Sequence, residues 1–145
     1  MAELIVAADA ADAVRLHLAA AMPDVECTAG TTPARFAERS INTVRTGGYQ
    51  RDLVTDVATV SLDYRHMSSE AAAEELARLA DAHLHAAERD GALGPLICHE
   101  VTTLAAPYLN PDPVNPSVHR VSASYQVAVR VAPVCEDTPR ACPRR

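Results

Sequence analysis

Tryptophan is absent from this 145-residue chain, phenylalanine occurs once and tyrosine four times. Aliphatic packing therefore has to carry the fold, and the aromatic stacking platforms of single-strand nucleic-acid binders are not expected. An excess of positive charge is missing as well. Thirteen basic residues stand against nineteen acidic ones, a formal net charge of −6 with histidine neutral. A protein that grips phosphates is basic overall or carries a basic stripe. No apolar run approaches the roughly 18 residues of a membrane span. Acidic residues also stand where a signal peptide wants a positive start, so a soluble, unexported chain is expected. The four cysteines, Cys27, Cys98, Cys135 and Cys142, include no Cys-x-x-Cys pair. That is not a zinc pattern, and a disulfide framework would be odd at this length, so the thiols read as reduced in a cytosol.

What is present is periodic. The length suits one domain with a real core. Residues 1–132 carry the pattern, while 133–145, with three prolines and no periodicity, read as a flexible tail. A first helix, capped by Asp9 or Asp12, repeats Ala11, Val14, Leu18 and Ala21 and stops at Pro23. A short strand follows, ending at Gly30. From Val54 to Tyr64, Val54, Ala58, Val60, Leu62 and Tyr64 fall on one side and Thr55, Thr59, Ser61 and Asp63 on the other. Period two predicts a half-buried antiparallel strand. Gly47 and Gly48 predict a turn before it, making a long hairpin with 47–52 near its tip. Ser68 or Ser69 caps a second helix that Gly91 ends, with Leu76, Leu79, Ala80, His83 and Ala87 as its apolar stripe. An extended run ending at Leu109 leads into a loop holding Pro111, Pro113 and Pro116. The last strand alternates Val121, Ala123, Tyr125, Val127, Val129 and Val131 with Arg120, Ser122, Ser124, Gln126 and Arg130. This order predicts an α+β fold: a mainly antiparallel β-sheet with a long hairpin, covered on one face by two α-helices.

Chemistry is harder to find. His83 and His85 are two apart on a helix, so they point about 200° apart and cannot share a metal ion from there. Satisfied histidines are the simpler reading. Glu74 and Glu75 diverge on the helix, and Asp56 and Asp63 fall on opposite strand faces. The glycine pair lacks the surroundings of a phosphate loop, and the serines beside His119 lack a nucleophile elbow. Cys98 has no visible helper and reads as a buried small hydrophobe. No catalytic, cofactor-binding or metal-binding residue is assigned, and a non-enzyme is expected. The rival from another class is a small hydrolytic or ligand-binding α+β domain, which a polar pocket around His99 and Cys98 would favour.

The order of these motifs resembles a known family. Pro33-Ala34-Arg35-Phe36 leads into a strand; a strand ending in aromatic Tyr64 precedes an alanine-rich helix. Pro111-Asp112-Pro113 then precedes a strand carrying Arg120, Tyr125, Val127 and Val129. Across residues 8–131 this resembles the tail terminator, or tail-completion, proteins of long-tailed bacteriophages. Tyr64 stands where that family often has a tryptophan-like residue. The resemblance implies a structural virion protein that acts as a ring, a homo-hexamer, on the last ring of the tail tube protein. It stops tube growth and meets the head-completion or connector protein, in the tail neck of the virion and in host cytoplasm during assembly. DNA would slide through the lumen without specific binding, as an acidic chain favours, and no membrane is involved. The nearest rival is a head–tail connector. Contacts with neighbours or tube are expected from Gly47, Gly48, Tyr49, Gln50 and Arg51 at the hairpin tip. They are also expected from Tyr108, Pro111, Asp112, Pro113 and Pro116 in the loop, and from Arg120 on the polar strand face. Proline fixes φ, so such a loop loses little entropy when a neighbour docks.

Overall fold

A computed structural model describes residues 5–6, 8–30, 38–130 and 132–133. In chain order the elements are β1 (Ile5–Val6), α1 (Ala10–Ala21), β2 (Glu26–Ala29), β3 (Arg39–Gln50) and β4 (Thr55–His66). They continue with α2 (Glu70–Asp90), β5 (Ala92–Leu93), β6 (Leu96–Leu109), β7 (His119–Arg130) and β8 (Ala132–Pro133). Six strands form one sheet in the order β2-β3-β4-β7-β6-β5, and β1 and β8 make a separate antiparallel pair. All pairings in the main sheet are antiparallel except β2 with β3. The expected α+β architecture is present. Pro133 ends a short strand, and 134–145, with Cys135 and Cys142, lie outside the described residues, as do Val131 and the Pro33–Phe36 run.

Alternation on β4 and β7 sets the two faces. Ala58, Val60, Leu62 and Tyr64 sit opposite Val127, Tyr125, Ala123 and Val121, and all are fully buried. Both helices pack on this face and close one core with it. The Asp9 carboxylate accepts the Asp12 N–H at 3.0 Å to cap α1, and Ser69 caps α2 through the Ala72 N–H. Gly91, in the left-handed conformation at φ 74°, ends α2, where a side chain would be strained.

Three details differ from the sequence expectation. The core stripe of α2 is Ala73, Leu76, Ala77, Ala80, Leu84 and Ala87; Leu79 is half exposed and His83 only half-buried. Alanines let the helix sit close to the sheet, so small residues rather than Leu79 define the contact. On α1, Ala21 faces outward while Ala10 and Ala13 are buried. The hairpin reverses later than predicted, at residues 51–54: Gly47, Gly48, Tyr49 and Gln50 belong to β3, and Val54 lies in the turn.

Candidate functional site

The glycines have a different job from a turn. The β3–β4 ladder shifts register between Arg45 and Gly47, leaving Thr46 out of the ladder with its hydroxyl reaching the Thr59 carbonyl at 3.4 Å. Beyond this bulge the two backbones run so close that a Cβ on Gly48 would stand 2.1 Å from the Val57 carbonyl oxygen. Gly48 also adopts φ +127°, which side-chain-bearing residues rarely do. Arg45 secures the bulge. Its guanidinium grips buried Asp56 at 2.7 and 2.9 Å and donates to the Gly47 carbonyl at 3.0 Å; the Asp56 carboxylate raises its pKa further. At the turn, the Arg51 N–H bonds the Thr55 carbonyl and the Asp52 carboxylate accepts the Val54 N–H at 2.9 Å. This places apolar side chains in solvent: Tyr49 is 55% exposed and Leu53 74%, with Val54 beside them.

The other end of the sheet is built from side chains. Arg65 and Arg120 are directly opposite on β4 and β7, an arrangement that like charges disfavour. The proline loop relieves it. Arg120 donates to the Asn110 carbonyl at 2.8 Å and the Pro111 carbonyl at 3.4 Å, and Asp112 sits 3.7 Å from Arg65. Asp112 also accepts the N–H groups of Val114 and Asn115, at 2.9 and 3.4 Å. The Val114 N–H most of all, then the Asn115 N–H and the two arginines, holds its carboxyl below the usual range. The network continues across the polar sheet face. Asn110 donates to Ser122 at 3.1 Å, and Ser122 donates to Asp63 at 2.6 Å. Pro111, Pro113 and Pro116 are exposed along the loop, and Val114 is 90% exposed.

Of the residues singled out in the sequence, Arg120, Pro111 and Asp112 come together, and half-exposed Tyr108 lies beside them opposite Ser122. Gly47 through Arg51 do not join them. The hairpin turn precedes the first residue of β4 and the proline loop flanks its last. Eleven steps of roughly 3.3 Å separate those residues, about 36 Å. Leu53, Val54, Asn110, Arg65 and Asp63 were not anticipated. The Asn-Pro and Asp-x-Val spacings signal the turn chemistry, but nothing local tells that Arg65 would face Arg120.

One partly exposed cluster around buried Tyr125 has the composition of a catalytic array. Tyr125 donates to Asp81 at 2.7 Å, and His85 lies 2.9 Å from the Thr103 hydroxyl and 3.6 Å from Asp81. Both His85 contacts fall on Nε2, so the ring cannot relay a proton from Thr103 to Asp81, which needs its two nitrogens on different partners. The cluster ties α2 to the sheet. Burial raises the Tyr125 and Tyr64 hydroxyls and the Cys98 thiol above their ordinary values, and pushes Cys27 up to about 11. Protonated thiols are weak nucleophiles. His17 bridges the His83 carbonyl and the Gly94 N–H, and His66 accepts from the Ser68 N–H. Among the described residues, no three His, Cys, Asp or Glu converge to hold a metal ion. No protein-family model matches the chain, and no curated protein matches it.

Proposed function

We propose that the chain is a structural virion subunit that caps the tail tube of a long-tailed phage. Copies form a ring, six by the resemblance, that stops tube growth and offers the tail side of the joint to the head-completion complex. The observation that carries the reading is the pair of unlike ends on one sheet. An exposed apolar hairpin tip stands at one end and a side-chain-clamped proline loop at the other. A tube grows because the two axial faces of each ring match, and a terminator must keep one matching face and lack the other. Two chemically different ends on one rigid sheet suit that division. The net charge of −6 suits a lumen through which DNA slides rather than sticks.

Deleting the reading frame from the genome that encodes it, then imaging the particles by negative-stain electron microscopy, tests the role. Tails of unregulated length support the capping function. Tails of normal length overturn it, and tailless heads beside such tails reassign the chain to the connector.

A further inference from the structure

The face of the main sheet away from the helices is polar along much of its length, with Thr59 and Ser61 half-buried opposite Gln126 and Ser124. One row breaks the pattern. Tyr49, Val57, Ala128 and Glu100 are partners in register across β3, β4, β7 and β6. Val57 and Ala128, at its centre, are apolar, only 2% exposed and outside the core cluster, and Thr55 beside them is buried too. Alternation puts them on the helix-free face, since their chain neighbours Ala58 and Val127 belong to the core. No helix covers these residues, so their burial has another source.

Two charged side chains reach across. Arg51 follows Gln50, the last residue of β3, and its N–H bonds the Thr55 carbonyl. Three inter-strand steps of about 4.8 Å put β3 and β6 about 14 Å apart. The Arg51 guanidinium nevertheless meets the Glu100 carboxylate at 3.5 Å. A contact between them has to pass over β4 and β7 at the level of Thr55, Val57 and Ala128. Arginine lays its methylene stem along apolar surface while the guanidinium stays in water. The Thr102 hydroxyl donates to the other Glu100 oxygen at 3.3 Å and steadies it. The remaining bonds of the turn, Arg51 to Thr55 and Asp52 to Val54, stay inside the hairpin. Among the described residues, this ion pair is the one ionic tie from the turn to β6.

We infer that Arg51 and Glu100 form a clasp over Val57 and Ala128 that fixes the direction in which the hairpin tip presents Tyr49, Leu53 and Val54. Glu100 is a positioning residue for what the tip contacts, the tail tube on the reading above. An exposed ion pair adds little stability, so the clasp orients the tip without holding the fold. The inference rests on the capping role for its biological setting, but its first test does not.

That test reads solvent exposure by nuclear magnetic resonance, with a soluble paramagnetic agent that broadens exposed methyl signals. In wild type the methyls of Val57 and Ala128 should be as protected as those of Val60 and Val127 in the core. Glu100→Lys sets two like charges against each other, and so does Arg51→Glu. Each should open Val57 and Ala128 to the agent while Val60 and Val127 stay protected. Arg51→Glu combined with Glu100→Lys restores opposite charges and should restore protection. Single reversals that leave the two methyls protected, or a double that leaves them open, overturn the clasp. If a variant misfolds by circular dichroism, wild type decides instead. In about 1 M salt, where the screening length falls to about 3 Å, the two methyls lose protection or the inference fails. The second test is tail length. Phage carrying Glu100→Lys should make overlong tails, and the double reversal tails of normal length. Normal tails from Glu100→Lys, or overlong ones from the double, overturn the positioning role. Either failure, alongside overlong tails in the deletion, leaves the capping role standing.

Discussion

The two ends of the sheet use the same local device and then diverge. Asp52 accepts the Val54 N–H and Asp112 accepts the Val114 N–H, both at 2.9 Å, so each turn is nucleated by an Asp-x-Val side-chain bond. Beyond that, the hairpin depends first on backbone, with Arg45 and Asp56 securing its bulge. Its bulge and close approach exist because Gly48 lacks a Cβ. The proline loop depends on side chains, with Arg65, Arg120, Asn110 and Asp112 holding it to the polar face. A backbone-built end should fail when a side chain is added. A side-chain-built end should fail when one is removed, and should respond to pH.

Gly48→Ala should have the largest effect. The new Cβ meets a carbonyl oxygen that belongs to the ladder and cannot swing away, and the φ is unfavourable for alanine. A loss of about 2–4 kcal/mol is expected from the strain and the broken pairing together, read as a lower urea midpoint. Arg120→Ala comes next. It leaves the Asn110 and Pro111 carbonyls to water and removes one of two opposed charges, so the two effects partly offset. Roughly 1 kcal/mol is expected, with backbone amide shifts confined to 108–122. A loss as large as that of Gly48→Ala would erase the contrast between the ends.

Acid sharpens it further. The Asp112 pKa is depressed in the folded chain, so its contribution is full above the unfolded carboxylate value of about 3.9 and fades as pH falls below it toward the folded pKa. Amide shifts of Val114 and Asn115 followed from neutral pH downward should stay flat until that window and then move together. Asp112→Asn should abolish the shared transition. The Asp52 carboxyl is also held low, chiefly by the Val54 N–H, so the hairpin turn loosens in acid too. Asp52 has Arg51 beside it, whereas the loop is tied through Asn110 to Ser122 and Asp63 on the polar face, so residues such as Ser122 should follow the loop transition.

Much of this was readable beforehand because it is local. Alternation at Val60, Leu62 and Tyr64 and at Val121, Ala123 and Tyr125 identifies both central strands, and Ser69 and Gly91 bound the second helix. What was not readable depends on partners distant in sequence. Gly47 and Gly48 look like a turn because glycine marks turns and close backbone approach equally well, and only the Val57 carbonyl across the ladder distinguishes them. Leu79 fits the helical stripe as well as Leu84 does, and the angle at which α2 meets the sheet decides between them. The loop prolines were visible as a surface. Their anchor was not, because Arg65 lies 47 positions from Asp112 in the chain.

The smallest expected effect on stability is also the one that bears on function. Tyr49 and Leu53 project into solvent and add nothing to the core cluster. The double variant Tyr49→Ser with Leu53→Ser should therefore leave the urea midpoint within about 0.5 kcal/mol of wild type. A monomer gains nothing by holding such side chains in water, whereas a docking surface does. If the hairpin tip meets the tube, phage carrying this variant should reproduce the deletion, with overlong tails, although the protein accumulates and folds normally. Matched substitution at the other end, Val114→Ser, alters a comparably exposed residue on the loop. Should that variant alone disturb length control, the proline loop and not the hairpin is the tube-facing end. Normal tails from both would show that neither apolar tip carries the contact.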